Sequence, residues 1–198
     1  MALKFQYNKT IIQQFRKQLA IREKALPILK NKETALRKEE KDAAAILEKL
    51  RTEKNELIDW QKTFQPFWSE FPNIVTLENT GIYQKKIVGI KVPEIGKITF
   101  QLIDMSWWNY PAWVPSGVSL IQKIITNDLN IRIKEEQRSL LNAARKKTTQ
   151  KVNLYEKVQI PAYEEAILKI KRFLEDQENI SKAAQKIVKK KKDRRVEI

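Results

Sequence analysis

Residues 12–57 read IQQFRKQLAIREKALPILKNKETALRKEEKDAAAILEKLRTEKNEL, and they hold an uninterrupted 3-4 spacing. Its positions are Ile12, Phe15, Leu19, Arg22, Leu26, Leu29, Glu33, Leu36, Glu40, Ala43, Leu47, Leu50, Lys54 and Leu57. Ten of the fourteen are apolar, which makes a seam wide enough for one partner helix and too narrow for a globular core. At 1.5 Å rise per residue, a helix from about residue 10 to 63 would extend roughly 80 Å. Asn8 or Thr10 can cap its first turn. Pro27 deletes one backbone hydrogen bond and costs about 3 kcal/mol, so a local kink is expected there, with the register continuing on both sides. The polar positions Arg22, Glu33, Glu40 and Lys54 have two readings. Either they pin the register of the pair, or they lie on solvated edges as a 3.6-residue helix drifts against a 3.5-residue repeat.

The partner for that seam is expected at the other end of the chain. Pro66, Pro72, Pro93, Pro111, Pro115 and all four glycines lie between residues 66 and 117, leaving the flanks almost unbroken. The organisation is therefore a first helix over 1–65, an insert over 66–116 and a second helix with a basic tail over 117–198. The fold class is mainly α, a long antiparallel two-helix coiled coil with a small central β-hairpin insert. Ser116 is the expected N-cap of the second helix. Its weaker stripe runs through Leu120, Ile124, Ile131, Leu141, Val152, Tyr155, Ala162, Ala166, Phe173, Ile180 and Ile187. Asn127, Lys134, Arg138, Arg145 and Thr148 interrupt it, so looser packing is expected in the middle. At Pro161 either a kink forms, or the helix breaks and restarts with the proline at its first position.

Within the insert the period changes to alternation at Lys86, Val88, Ile90 and Val92, then at Ile98, Phe100 and Leu102. This predicts two strands joined by a turn at Pro93-Glu94-Ile95-Gly96. A lone hairpin is marginal in water and should lean on something. Trp60, Phe64, Phe67, Trp68 and Phe71 precede it, and Trp107, Trp108, Tyr110 and Trp113 follow. These rings either cover the hairpin as a small core or dock a partner, with Trp107, Trp108 and Trp113 the docking candidates.

The chain has no cysteine and no histidine, which removes disulfides, thiolate nucleophiles, imidazole bases and the usual zinc sites. No phosphate loop, nucleophile elbow or metal-spaced carboxylate set is present either, so neither catalysis by this chain nor a cofactor is expected. No apolar run marks export or membrane insertion, and a cytoplasmic location is expected. The net charge of +15 implies an acidic partner. Its densest part is Lys186, Lys189, Lys190, Lys191, Lys192, Arg194 and Arg195, which lacks the interleaved aromatics of a single-strand binder.

Phe15-Arg16-Lys17-Gln18-Leu19, followed by Ile28-Leu29-Lys30-Asn31-Lys32 and Leu36, resembles the N-terminal helix signature of the D subunit of the V/A-type rotary ATPases. Lys151-Val152-Asn153-Leu154-Tyr155-Glu156-Lys157-Val158-Gln159-Ile160-Pro161, continued by Glu164-Glu165, resembles its C-terminal signature, and Ile90-Lys91-Val92-Pro93 its hairpin. Ala25, Pro27 and the segment from Trp107 to Trp113 depart from the family pattern. The resemblance implies a non-catalytic central-stalk shaft whose helix termini enter the ring of catalytic A and B subunits. It implies that the insert couples to the F subunit and to the socket subunit of the membrane ring, called C or d, with neither nucleic-acid binding nor membrane insertion by this chain. On that reading the ring contacts are Lys17 and the basic residues from Lys186 to Arg195. A prefoldin-like coiled-coil chaperone and a basic coiled-coil nucleic-acid binder remain as alternatives.

Overall fold

Asn8 sets the start of the first helix: its Oδ1 accepts from the backbone N–H of Ile11 at 2.7 Å, leaving Thr10 inside the helix. In a computed structural model of the chain, which describes residues 5–63, 65–102 and 110–196 with side chains to Lys191, α1 then spans Lys9–Thr63. Pro27 lies within α1 and does not end it. A 3-10 helix, Gln65–Glu70, leads to β1 (Val75–Ile87) and β2 (Ile90–Leu102), then to α2 (Val114–Asn153). A π-helix, Leu154–Gln159, separates α2 from α3 (Ile160–Val196). The chain forms two compact units, residues 1–31 with 148–198 and residues 32–147.

All fourteen predicted seam positions of α1 are buried or half-buried. Ile12, Leu36, Ala43 and Leu47 are buried outright, and Phe15, Leu19, Leu26, Leu29 and Leu50 are half-buried. The pairing is antiparallel in each unit. In the first, Lys9, Arg22 and Lys30 meet Glu178, Gln159 and Glu156; in the second, Glu40, Arg51 and Lys54 meet Arg145, Glu135 and Asp128.

On the returning helices the stripe differs from its sequence reading. Val152 is buried and Tyr155 half-buried, but Phe173 is 39% exposed and the residue facing inward is Ile170. After the π-helix the inward positions are Gln159, Tyr163, Ala166 and Ile170, so the expected stripe is met at Ala166 and then runs through Ile170 rather than Phe173. Phe173 instead tilts against Tyr7, with ring centroids 4.6 Å apart. Ile180 and Ile187, further along the expected stripe, are exposed.

The unit of residues 32–147 corrects two further expectations, the start of the helix and the hairpin turn. The helix begins at Val114 rather than after Ser116, because Val114 N–H donates to Pro111 O and Pro115 fits the first turn, where its missing donor is not needed. The polar interruptions do not face away: Asn127 is buried, Lys134 and Arg145 are half-buried, and Gln137 rather than Arg138 takes the inward position. Thr148, in the other unit, is buried too. The hairpin turn is Val88-Gly89, with φ of 50° and 80°, pairing Ile87 with Ile90, while Pro93 and Gly96 lie inside β2.

The displaced turn follows from packing. Positive φ at both central residues gives a two-residue turn whose twist suits a hairpin, but it strains a β-branched valine. Val88 is held there because it packs with Ile87 and Ile90 against the core of Leu36, Ala43, Val92 and Leu141. Pro93 is tolerated because a two-stranded ribbon has only edge strands, and its carbonyl accepts from Gln137 Nε2 of α2. Gly96 is needed for close backbone approach: a Cβ there would lie 2.8 Å from Gly81 O, beside a register shift. The hairpin thus leans on the helix pair through Val92 and Gln137, and the buried polar residue of α2 is what receives it.

Glu94 on β2 pairs with Lys85 Nζ at 3.0 Å and accepts from the Tyr83 hydroxyl at 3.3 Å. Hydrogen bonding to Lys85 holds the Glu94 carboxyl below its ordinary 4.5, and Glu94 raises Lys85 above 10.5. The glutamate's contribution is whole above pH 4.5 and drains as pH falls through its lower folded value. The lysine's is whole below 10.5 and drains as pH rises. Amide protection factors in β1 and β2 are therefore expected to fall in acid more steeply in the native chain than in Glu94→Gln. Equal acid responses would show that the pair adds no stability.

Candidate interaction surfaces

The polar seam residues of α1 meet specific groups. Arg22 Nε donates to Gln159 Oε1 at 2.6 Å, and its Nη1 donates to the carbonyl and side chain of Gln18 at 2.9 and 2.7 Å. Its guanidinium lies 4.7 Å from the ring centroid of Tyr163 and 5.8 Å from that of Tyr155. Glu40 Oε2 lies 2.5 Å from Arg145 Nε, and Lys54 Nζ lies 2.8 Å from Asp128 Oδ1. Glu33 pairs along its own helix with Arg37 at 3.4 Å. Arg22, Glu40 and Lys54 thus act as cross-helix register layers rather than solvated edges.

The Arg22 layer sits on the π-helix. The N–H of Ile160 donates to Tyr155 O, five residues back, and the next residue, Pro161, has no N–H to place. The helix does not break and restart at Pro161: the backbone is helical at Asn153 (φ −61°, ψ −40°) and at Ile160 (φ −58°, ψ −55°), and the π segment leads directly into α3, whose second residue is Pro161. The extra residue puts Tyr155, Gln159 and Tyr163 on one face, where a single guanidinium reaches all three. The sequence shows Arg22 in the seam but gives no signal that two tyrosines flank it. Arg22→Met is expected to destabilise the chain by about 1–3 kcal/mol, since Gln159 loses a charged donor and the rings lose a cation. Urea unfolding, with amide exchange read over residues 154–163, measures this. Unchanged stability and exchange would show that the layer is dispensable.

The aromatic insert divides in two. Trp113 packs on the core of Ile74, Val114 and Val118, within 5.4 Å of Phe67 and 6.0 Å of Phe71 by ring centroids. It is therefore half-buried structural packing rather than a free docking ring. Trp107 and Trp108 lie outside the described residues, as does Phe64. Among the described residues the exposed tryptophan is Trp60, at 63%, which sequence reasoning grouped with its neighbours and did not single out. It was legible: the seam continues from Leu57 to position 61, so a large ring at 60 stands on the flank. Trp60 lines a groove with Leu50, Leu57 and Phe100, where Asn127 is also found. Asn127 Nδ2 donates to Glu53 Oε2 at 3.3 Å, and its buried Oδ1 has no partner among the described residues.

Of the basic candidates, Lys17, Lys186, Lys189, Lys190 and Lys191 are exposed. The side chains of Lys192, Arg194 and Arg195 lie outside the described residues. From Glu175 to Lys191 every residue of α3 is exposed, including Ile180, Ile187 and Val188. Among the described residues no group of acidic side chains is arranged to hold a metal ion, and no helix is long and apolar enough to cross a membrane.

With this geometry the chain was compared with known proteins. The family model for the D subunit of ATP synthase matches residues 12–190. The V-type ATP synthase D subunit from Borreliella burgdorferi is 33% identical over 103 residues, covering 52% of this chain and 51% of that protein. The protein of the same name from Chlamydia muridarum is 26% identical over 107 residues, 54% of this chain and 53% of the relative. That from Chlamydia abortus is 27% identical over 125 residues, 63% and 60%. The chain thus spans between half and three fifths of the length of these curated relatives. The family match takes in the seam of α1, the hairpin and the π-helix with Pro161 together, and the chain belongs to the ATP synthase D-subunit family.

Proposed function

We propose that this chain is the central rotor shaft of a V/A-type ATPase or ATP synthase, coupling ATP hydrolysis or synthesis in a ring of catalytic A and B subunits to rotation and to proton or sodium transport. The observation that carries this reading is the antiparallel seam with its cross-helix layers at Arg22, Glu40 and Lys54. An element that transmits torque must not slip along its partner, and a charged group in a seam resists a one-turn slip because it would leave its counter-group unpaired. Such a shaft performs no chemistry itself; the nucleotide sites belong to its partners.

In this reading the chain is organised as two end helices, 1–65 and 117–198, around the insert 66–116. The termini enter the ring, where Lys17 and the basic residues from Lys186 to Arg195 meet acidic linings. General charge complementarity suits a shaft that faces successive catalytic interfaces better than one locked pocket does. The insert meets the F subunit and the C or d socket of the membrane ring, with Trp107 and Trp108 as docking rings and Trp60 added to them in place of Trp113. The whole assembly lies on the cytoplasmic side, peripheral to the membrane.

Co-purification of the tagged chain from its host tests this. Catalytic ring subunits and a small F-like subunit are expected with it, and their absence overturns the reading. Charge reversal across Lys189, Lys190, Lys191 and Lys192 is expected to lower recovery of the ring and flatten its loss with salt, because the attraction that salt screens has been removed. Unchanged ring recovery would remove the basic tail from the interface while leaving the shaft itself in place.

A further inference from the structure

A groove in the unit of residues 32–147 holds charge that the fold leaves unneutralised. Arg37, Lys41 and Ala44 on α1 face Arg138 and Arg145 on α2, with Glu40 between them. Four cations therefore share one carboxylate within the groove. Two cations elsewhere along the same helix pair are answered from the facing helix, Arg51 by Glu135 and Lys54 by Asp128, each at 2.8 Å. Here Glu40 is committed to Arg145, and Arg37 reaches only Glu33 on its own helix, at 3.4 Å and largely exposed. Lys41 and Arg138 are exposed and have no hydrogen bond or ion pair among the described residues. Arg145 is itself incompletely met: its buried Nε is close to Glu40 without the alignment of a hydrogen bond.

We propose that this groove is a docking surface for an acidic polypeptide segment whose carboxylates recur at successive helical turns. Arg37 and Lys41 are one turn apart on one wall, and Arg138 and Arg145 are two turns apart on the other, a run of roughly 10 Å. Carboxylates at i, i+4 and i+7 of an incoming helix present the same spacing and relieve the like-charge repulsion among the four cations. Ala44 is small enough to let that backbone approach. A phosphate ligand fits less well, because the groove lies mid-helix with no cluster of free backbone N–H groups, and Glu40 stands in its path. Nucleic acid lacks a stacking platform there, since no aromatic residue lines the groove. The inference rests on the groove itself and stands independently of the rotor reading.

The test uses the purified full chain and a synthetic helical peptide with glutamates at i, i+4 and i+7, followed by fluorescence anisotropy at physiological salt. Replacing Arg37, Lys41 and Arg138 by Gln is expected to weaken binding about tenfold or more, whereas the charge-matched control with Lys24, Lys171 and Lys182 replaced by Gln stays near the native value. Circular dichroism verifies that both variants keep their helix. On the native chain, carbodiimide coupling of lysine amines to the peptide carboxylates is expected to join the peptide at Lys41 by mass spectrometry. Equal weakening in the two variants, or coupling spread over the tail lysines without Lys41, overturns the proposal. So does single-stranded DNA or inorganic phosphate binding with groove dependence where the peptide shows none.

Discussion

A charged side chain in a two-helix seam is costly when no polar group answers it, and at Arg22, Glu40 and Lys54 the answer comes from the facing helix, while Glu33 pairs with Arg37 along α1. That cost governs how α1 meets its return. Arg22 is answered by Gln159 between two tyrosine rings, Glu40 by Arg145, and Lys54 by Asp128. A register shifted by one turn would keep much of the apolar burial, since leucine packs nearly as well against one aliphatic neighbour as another, but it would break these layers. Apolar seam residues therefore supply most of the stability, while the polar ones select which of several similar pairings is adopted.

The hairpin adds a second constraint to the unit of residues 32–147. Val92 is fully buried between the two helices' apolar residues, and Gln137 donates to the Pro93 carbonyl. α2 there serves two neighbours, α1 on one side and β2 on another. Its polar interruptions serve the hairpin and the cross-helix pairs.

The same logic separates surface from structure among the aromatics and cations. Trp113 is used internally beside Phe67 and Phe71, whereas Trp60 stands on the flank of α1 with most of its ring in solvent. Likewise Arg51 and Lys54 are neutralised within the helix pair, whereas Lys41 and Arg138 are left without a partner among the described residues. An interaction surface in a strongly basic chain is better identified by what the fold leaves unanswered than by charge density alone.

The amino-acid sequence by itself determined the helical class, the length of α1 and the seam facing its partner, because a 3-4 spacing sustained over so many turns specifies one face wherever the partner stands. It also determined the family and narrowed the first cap to Asn8 or Thr10, since both rest on residues adjacent in the chain, and the structure chose Asn8. Only the tertiary structure decided the turn at Val88-Gly89, the phase of α3 and the role of Trp113. Local rules favour Pro93-Gly96 as the turn; burial of Val88 and Val92 against Leu36 and Leu141 outweighs that preference. One guanidinium, distant in sequence, meets Tyr155, Gln159 and Tyr163 on one face, and Ile170 rather than Phe173 is the residue buried beyond them. Contacts between residues far apart in the chain leave no periodic trace in it, so these features became visible only once the helices were paired.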